Sequence, residues 1–495
     1  MAYVASIDIG TTAAKGVLVD REANIHHEVT IALRTQQDNG FMEQNPSDWW
    51  EAVLQIAAHW RREGISGSQI ACISMSGQMQ DLIAIDEQGE ALRPAILYSD
   101  ARAGAEAERI TETVGLERIR EVTGNHFDGT FPLAKLLWLK EHEPQVYEQT
   151  AKVLFGSKDF IVHRLTGRAV TDPTTASTSG VLHASKRVWA SEWMRPSGLA
   201  ERMLPEIVAS HERAGTVTAE AARLTGWSEG TPVVAGVGDA GATTLGAGVT
   251  NEADVYSYLG TTGWLAVSTP AYTYREGGVF HLAHPADGLY IAIAPLLNVG
   301  NVHQWAVQTF APDGGTEADR YAAFERLASS ADRGRSPVVF LPYLNGERCP
   351  VQDPDASGAF IGMRADTTKA ELSAAVLEGV AFALRHVKDY LLPGRQLTEA
   401  ALIGGGSQSR LWRQIISDVL ACPLRVPESA QYLPALGAAA CAFIHLGWIE
   451  SYDDFKQRYL LRSSTSGCLP ELERSTAYER KFAQYVRLYP LLKQL

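Results

Sequence analysis

The chain has 495 residues, of which 45% are hydrophobic and 20% charged, and its formal net charge is -13. This length exceeds one compact core and predicts two domains, and the ordinary composition excludes a disordered or fibrous protein. The acidic balance argues against a nucleic-acid partner, because such partners are bound through clusters of Lys and Arg.

The sequence shows no evident signal for secretion, membrane insertion or disulfide formation. The first residues, MAYVASID, lack the basic and apolar regions of a secretory signal, and no segment approaches the roughly 20 apolar residues of a membrane span. The five cysteines are scattered and show no Cys-x-x-Cys spacing, which argues against a disulfide framework or a zinc site. We therefore expect a cytoplasmic protein with no membrane partner.

Strand-like and helical segments alternate along the chain, and this alternation favours an α/β architecture. In chain order the patterns predict strands at 3–9, 16–19, 69–76 and 91–100, a helix at 132–149, strand–turn–helix at 231–248, strand–turn–strand at 251–268, and strand–turn–helix at 401–422.

One short sequence motif occurs twice. SIDIGTTAAKGVLVD covers residues 6–20, and YSYLGTTGWLAVS covers residues 256–268. In each, Gly-Thr-Thr joins two apolar strands, so the chain is predicted to be a duplication with its boundary near residues 245–255.

The repeated turns carry the residues Gly10, Thr11, Thr12, Gly260, Thr261 and Thr262. A glycine turn exposes consecutive N–H groups, and threonine adds hydroxyl donors, so such a turn suits the oxygens of a phosphate chain. Asp8 could hold Mg²⁺, and Lys15 could add a positive charge. The alternative is a plain β-hairpin whose Asp caps the turn. Two copies in one chain favour two turns that hold one polyphosphate.

A third glycine cluster, Gly404-Gly405-Gly406-Ser407, stands between an apolar strand and a helix. A backbone without side chains can lie flat against a nucleoside, and the N-terminus of the following helix suits a phosphate. The alternative is a flexible turn in which Ser407 is the N-cap of the helix.

These motifs, with FMEQNPSDWWEA, FPLAKLLWLKEH, FLPYLNGERCP and GAFIGMRADTTKAELSAAVLEG, resemble the FGGY carbohydrate kinases nearly end to end. Within that family they are most similar to the xylulokinases. The resemblance implies the fold of sugar kinases, actin and Hsp70, which is two duplicated ribonuclease-H-like α/β domains around a cleft. Residues 1–246 would then bind the sugar and hold the first phosphate loop and the catalytic Asp. Residues 247–495 would supply the second phosphate loop and the adenosine site.

The activity that the resemblance implies is transfer of the γ-phosphate of ATP, with Mg²⁺, to a terminal hydroxyl of a ketopentose. D-xylulose is the expected acceptor, and ribulose, gluconate or a glycerol-like polyol are alternatives. The resemblance places the catalytic Asp of the family in the segment GVGDAGA, at Asp239, and the chemistry is consistent, because a carboxylate can take the proton of an alcohol as transfer proceeds. The resemblance also suggests a homodimer.

The resemblance places the sugar contacts at Gln78, Met79, Gln80, Asp100 and Arg102, together with Asp239. Where the family usually has Gly-Gln-Met-His-Gly, this chain has Gly-Gln-Met-Gln-Asp, and Ala240 stands where Asn is usual. Both departures fall in the expected sugar pocket, so the choice of sugar stays open. Asp100 and Arg102 could instead form an ion pair at a strand end.

Two rival functions fit parts of the sequence. GVGDAG also matches the dinucleotide fingerprint of an NAD-dependent dehydrogenase, with Asp254 near the spacing of the ribose-binding acid. Gly246 and Gly248 would shorten the helix that this fingerprint needs. A non-catalytic member of the kinase fold is the second rival, and the presence of Asp8 and Asp239 argues against it.

Other conspicuous residues favour structural roles. Trp49 and Trp50 are expected to anchor a helix in the core. His281 and His284 are expected to be structural and not metal ligands. Glu347 and Arg348 are expected to be structural residues near the cleft.

Overall fold

A computed structural model of the protein describes residues 2–312, 314–427, 430–462 and 467–494. The strands are β1 (Tyr3–Ile9), β2 (Ala13–Val19), β3 (Ile25–Ala32), β4 (Gln36–Asp38), β5 (Phe41–Gln44), β6 (Ile70–Gly77), β7 (Met79–Ile85), β8 (Ala95–Ile96), β9 (Lys152–Gly156), β10 (Val170–Thr171), β11 (Leu182–His183), β12 (Val188–Trp189), β13 (Glu206–Ile207), β14 (Arg213–Thr216), β15 (Pro232–Val234), β16 (Val237–Gly238), β17 (Val255–Leu259), β18 (Gly263–Thr269), β19 (Phe280–Ala283), β20 (Tyr290–Leu296), β21 (Val339–Leu341), β22 (Ala359–Ile361), β23 (Ala400–Ile403) and β24 (Leu424–Arg425).

The helices are α1 (Pro46–Arg62), α2 (Gly104–Val114), α3 (Leu116–Thr123), α4 (Pro132–His142), α5 (Pro144–Gln149), α6 (Ser157–Thr166), α7 (Pro173–Ala176), α8 (Ala219–Thr225), α9 (Asp239–Gly246), α10 (Gly300–Phe310), α11 (Glu317–Ser329), α12 (Lys369–Leu391), α13 (Arg410–Leu420), α14 (Leu433–His445), α15 (Tyr452–Phe455) and α16 (Leu472–Leu492). Among the described residues, no helix is both long enough and apolar enough to cross a membrane.

The N-terminal half is built on a sheet in the order β14-β15-β6-β1-β2-β3, with β16 also paired to β6. β1 is antiparallel to β2 and parallel to β6. The central strands β1 and β6 are almost wholly buried, as expected for strands covered on two sides.

The C-terminal half repeats this arrangement. Its sheet runs β19-β20-β18-β17-β23-β24, where β17 is antiparallel to β18 and parallel to β23. Each half therefore has an antiparallel hairpin that carries Gly-Thr-Thr at its turn and a parallel crossover strand beside it. The predicted fold class, two duplicated ribonuclease-H-like domains, is confirmed.

Helices α9 and α14 join the halves through a close backbone contact. A Cβ at Gly437 would lie 1.9 Å from the carbonyl oxygen of Ala242, so only glycine fits there. The hydroxyl of Ser6 on β1 donates to the carbonyl of Ala435 at 2.6 Å, and Ser74 on β6 donates to that of Ala438 at 2.6 Å. α14 thus packs on the sheet of the other half as well as on α9.

Two local predictions need correction. The strand expected at 91–100 is reduced to Ala95–Ile96, because the chain turns at once and the Asp100 amide donates to the carbonyl of Leu97 at 3.0 Å. The helix expected at 132–149 is two helices, because Pro144 has no N–H to continue α4 and instead begins α5.

Candidate active site

A groove is formed by three neighbouring cavities, of which the outer one is lined by residues of the C-terminal half alone and the middle and inner ones by residues of both halves. The outer cavity has about 980 Å³, the middle cavity about 480 Å³ and the inner cavity about 370 Å³. Gly405 and Gln408 line both the outer and the middle cavity, and Thr243 and Trp264 line both the middle and the inner one. Each cavity therefore adjoins the next.

The second Gly-Thr-Thr turn and the glycine cluster face each other across the outer cavity, whose lining includes Gly260, Thr261, Gly405 and Gly406. The first amides of α10 hold the turn, since the N–H of Gly300 donates to the carbonyl of Gly260 at 2.9 Å. The cavity is wide and bordered by bare backbone, which suits a flat ring followed by a phosphate chain.

The strand-to-turn transition requires glycine at position 404. Its φ is +90°, and a Cβ there would lie 2.6 Å from the carbonyl oxygen of Leu259. Ser407 is buried and closes the turn by donating its hydroxyl to the carbonyl of Gly404 at 2.7 Å. The N-cap of α13 is Ser409, whose hydroxyl accepts from the Trp412 amide, so the alternative that made Ser407 the N-cap is wrong.

Asp8, Lys15 and Gly404 line the middle cavity. Asp8 and Lys15 are direct partners across the β1–β2 hairpin, and the hydroxyl of Ser76 donates to Asp8 Oδ1 at 2.7 Å. Burial raises the pKa of Asp8, and the Ser76 hydrogen bond and the Lys15 charge oppose that rise. A carboxylate and an ammonium thus share the wall of a phosphate-sized space.

Two of the predicted turn threonines lie at the turn tips, outside the lining of these cavities. Thr12 is exposed and its carbonyl accepts from the Leu33 amide at 2.8 Å. Thr262 is exposed and its carbonyl accepts from the Gly260 amide at 3.0 Å.

Asp239 lies in the inner cavity with Thr11, Gln78, Met79 and Gln80. As the first residue of α9, Asp239 accepts the Ala240 amide on Oδ1 at 2.7 Å. Burial, and then the nearby charge of Asp8, raise the pKa of Asp239 to about 7. A carboxylate with a pKa near neutrality is well matched to general-base chemistry.

A hydrogen-bond network around Gln44 fixes the first turn against the inner cavity. Gln44 Oε1 accepts from Trp49 Nε1 at 2.8 Å and from Gln78 Nε2 at 3.0 Å, and Gln44 Nε2 donates to the carbonyl of Thr11 at 2.6 Å. The hydroxyl of Thr11 completes the ring by donating to Gln78 Oε1 at 2.8 Å. Trp49 is buried in the core, as predicted, and it also orients Gln44.

Asp100 and Arg102 do not line the inner cavity. Arg102 donates from Nε to Asp100 Oδ1 at 2.9 Å and from Nη2 to Oδ2 at 2.6 Å, and the Met42 amide also donates to Asp100. The guanidinium lies 3.8 Å from the ring centroid of Phe41. Both side chains are committed to an ion pair that holds β5, which is the alternative that the sequence left open.

Sequence reasoning missed most of the opposite wall of the inner cavity, which is formed by Tyr98, Thr178, Thr243, Tyr256, Trp264, Phe280, Leu282 and Ile293. Trp264 stacks on Tyr258 at 4.1 Å between ring centroids and donates from Nε1 to the Tyr256 hydroxyl at 3.2 Å. The only sequence signal was the position of Trp264, two residues after the second Gly-Thr-Thr.

The buried histidines and Glu347 are tied to the backbone. His281 Nδ1 donates to the carbonyl of Gly124 at 2.8 Å and His284 Nε2 to that of Val249 at 3.0 Å, while burial lowers the pKa of each to about 4. Glu347 accepts from the Leu297 amide at 2.8 Å. These contacts agree with the structural roles predicted for them.

Comparisons with known proteins point to one family. Residues 3–246 match the FGGY family of carbohydrate kinases, N-terminal domain, and residues 255–446 match its C-terminal domain. Xylulose kinase of Escherichia coli (strain K12) is 31% identical over 492 residues, which cover 99% of each chain. The crystal structure of xylulose kinase from Rhodospirillum rubrum superposes with a TM-score of 0.89 at 30% identity and 99% coverage of each chain. Gluconokinase of Bacillus subtilis (strain 168) is 28% identical over 502 residues, covering 100% of this chain and 95% of the relative.

Proposed function

Because the chain belongs to the FGGY family of carbohydrate kinases, we propose that it transfers the γ-phosphate of ATP to a terminal hydroxyl of a ketopentose, with D-xylulose as the first candidate. One observation carries the proposal. Three neighbouring cavities extend from the glycine-rich turns to Asp239, and their volumes of about 980, 480 and 370 Å³ give separate space for a nucleoside, phosphates and a sugar.

We assign each part of the substrates to one of the cavities. The outer cavity takes the nucleoside, with Gly260, Thr261, Gly405 and Gly406 against it, and the middle cavity takes the phosphates beside Lys15 and Gly404. The phosphate contacts predicted at Gly10, Thr12 and Thr262 stay predictions, because these three residues are not among those that line the cavities. We place the division between the two domains at residues 246 and 247, between α9 and β17.

The middle cavity also fits a divalent cation. Asp8 offers the hard carboxylate oxygen that Mg²⁺ prefers, and it faces the space proposed for the phosphates. Bound there, Mg²⁺ would neutralise phosphate charge as it builds up during transfer.

Asp239 is the proposed general base. The acceptor hydroxyl gives its proton to the Asp239 carboxylate, its oxygen forms a bond to the γ-phosphorus, and the bond to the bridging oxygen of ADP breaks. The pKa of about 7 keeps a substantial fraction of Asp239 ionised at neutral pH and makes the carboxylate a stronger base than an exposed Asp. Exclusion of water by the surrounding aromatic wall would limit wasteful ATP hydrolysis.

The charge of the inner cavity favours a neutral sugar over a sugar acid. Among the described residues that line it, none is Lys, Arg or His, and Asp239 contributes a negative charge. The nearby Lys135 is buried behind the wall, where Nζ donates to the carbonyls of Gln80 and Leu97 at 3.2 and 2.7 Å. A sugar carboxylate would lose its hydration without gaining a cationic partner, so gluconate ranks second.

The dehydrogenase alternative is wrong. In a dinucleotide site the helix after the glycine turn presents its free N-terminus to a pyrophosphate. Here that position carries the carboxylate of Asp239, whose Oδ1 accepts the Ala240 amide in the first turn of α9 and would repel the anion.

The test is an assay that couples ADP release to NADH oxidation, with ATP and Mg²⁺ present. The panel comprises D-xylulose, D-ribulose, pentitols, gluconate and glycerol. We expect D-xylulose or another neutral ketopentose to give the highest kcat/KM. ADP release that no panel member raises above the background ATPase rate would refute the proposal, and a clear preference for gluconate would refute the choice of a neutral sugar.

Two further properties belong to the same proposal. All five cysteines are free thiols, which agrees with a reducing cytoplasm. The homodimer suggested by the family resemblance stays a prediction, and sedimentation equilibrium of the purified chain measures it.

A further inference from the structure

Gln80 forms part of the inner cavity wall in an unusual backbone conformation. Its φ is +66°, in the left-handed region that non-glycine residues rarely adopt. The buried ammonium of Lys135 donates to the Gln80 carbonyl at 3.2 Å and so stabilises this conformation. The direction in which the Gln80 side chain leaves the backbone is therefore set by the interior of the protein.

A chain of hydrogen bonds fixes the orientation of the Gln80 carboxamide. Gln80 Nε2 donates to Thr130 Oγ1 at 2.8 Å, and Thr130 Oγ1 donates to Asp128 Oδ1 at 2.6 Å. Burial acts in the other direction, but hydrogen bonds from His126 and Thr130 lower the pKa of Asp128 to about 2, so this carboxylate is ionised and can only accept.

The order of donors in this chain follows from proton counting. A threonine hydroxyl has one proton, and Thr130 uses it on Asp128. Its oxygen can then only accept from Gln80, which must present its nitrogen to Thr130. The Nε2 group keeps one further N–H, and the carbonyl oxygen Oε1 is the acceptor that the carboxamide has left for the cavity.

Two other hydroxyls in the cavity wall are committed in the same way. The Thr178 hydroxyl donates to the carbonyl of Thr175 at 2.9 Å, and the Thr11 hydroxyl donates to Gln78 Oε1 at 2.8 Å. Each of these oxygens retains only acceptor capacity toward a ligand. The cavity therefore offers several acceptors and suits a ligand rich in hydroxyl donors.

We propose that Asp128 and Thr130 are positioning residues that hold Gln80 as a hydrogen-bond acceptor, so that the site selects a neutral sugar with a hydroxyl on the carbon facing Gln80. This inference rests on the proposed function and extends it to one atom of the substrate site. A ligand with a carbonyl, carboxylate or hydrogen in place of that hydroxyl leaves Gln80 Oε1 without a donor and loses affinity.

The test compares Thr130→Val, which keeps the shape and removes the hydroxyl, with Thr130→Ser, which keeps the hydroxyl. The measured quantities are kcat and KM for D-xylulose and for 1-deoxy-, 3-deoxy- and 4-deoxy-D-xylulose, and KM for ATP. In the wild type we expect one deoxy analogue to lose about 10-fold or more in kcat/KM, as for a lost hydrogen bond to a polar site. In Thr130→Val the carboxamide is free to rotate, so KM for D-xylulose should rise about 5- to 20-fold with kcat almost unchanged.

The ratio between D-xylulose and the sensitive analogue distinguishes positioning from general damage. This ratio should fall in Thr130→Val and stay at the wild-type value in Thr130→Ser, with KM for ATP unchanged in both. Asp128→Asn is a second test of the same idea. Asn can also donate a hydrogen bond, so Thr130 no longer has to donate to residue 128, and the ratio should fall as in Thr130→Val. Thermal unfolding verifies that each variant is folded.

The outcomes separate the two proposals. A wild type that phosphorylates D-xylulose, with Thr130→Val and Asp128→Asn matching it in KM and in the analogue ratio, overturns the positioning role and leaves the kinase function standing. A wild type that phosphorylates no sugar of the panel overturns both. A parallel fall of kcat for every substrate, without a change in the ratio, also contradicts positioning.

Discussion

Replacement of Asp239 by Asn should lower kcat strongly and stabilise the fold at the same time. Asn keeps the shape of the side chain and can still accept the Ala240 amide, but it cannot take a proton from the acceptor alcohol. Loss of a general base typically costs 10²- to 10⁴-fold, so we expect kcat to fall by about that factor. ATP should still bind, because Asp239 lines the inner cavity and not the outer one.

The gain in stability follows from the pKa of the carboxyl group. Burial and the charge of Asp8 raise the pKa of Asp239 from 3.8 to about 7. The folded protein therefore retains a proton that the unfolded chain releases, and stability is lost as the pH rises from about 4 through about 7. At about 1.4 kcal/mol per pH unit the full difference is ~4 kcal/mol, and we expect ~2 kcal/mol because the group borders an open cavity.

The experiment measures urea unfolding of the wild type and Asp239→Asn from pH 4.5 to pH 8, together with kcat at each pH. The variant should gain stability over the wild type as the pH rises and reach a plateau above about pH 7, and wild-type kcat/KM should fall on the acid side of that value. Asp366→Asn, at an exposed turn, is the control and should show neither effect. A pH-independent stability difference, or a variant kcat within tenfold of the wild type, would refute the reasoning.

Three other substitutions test parts of the groove. Gly437→Ala places a Cβ 1.9 Å from a backbone oxygen of α9, so it should lower the free energy of unfolding by about 1–3 kcal/mol and reduce kcat. The control is Gly104→Ala, where no atom lies within 4 Å of the added Cβ, and it should have neither effect. Equal unfolding curves for the two variants would contradict the tight contact. Gln44→Leu breaks the network behind the first turn, so KM for the sugar should rise about tenfold in the kinase assay, and an unchanged KM would contradict it. Lys15→Met removes the cation of the middle cavity and should raise KM for ATP more than KM for the sugar; equal increases would argue against a phosphate contact.

The local patterns of the sequence were sufficient to predict the hairpins that are proposed to contact phosphate. The two Gly-Thr-Thr hairpins appear as β1–β2 and β17–β18, because apolar alternation and a glycine turn are encoded within a few residues. The strand and helix around GVGDAGA also formed where the sequence predicted them. Asp8, indicated by the turn pattern, and Asp239, indicated by the family resemblance, lie far apart in the chain, and both line the groove.

Local patterns failed where a side chain's role depends on its partners. Asp100 and Arg102 could bind a sugar or each other, and the choice depends on the position of Phe41 and Met42 from another strand. Ser407 is of a residue type that is common at the N-cap of a helix, yet the chain makes one more turn, and the N-cap of α13 is Ser409. Such choices are decided by distances that no short segment specifies.

The sequence by itself determined the hairpins, the glycine turns and the identity of the acid at the head of α9, since these depend on residues adjacent in the chain. Only the tertiary structure decided which groups share a cavity and which of their atoms face it. Gln80, Thr130 and Asp128 show why, because the orientation of one carboxamide depends on a proton that is already committed to a carboxylate 48 positions away in the sequence. Hydrogen bonds depend on direction and on donor count, and both become defined only when the folded chain brings the partners together.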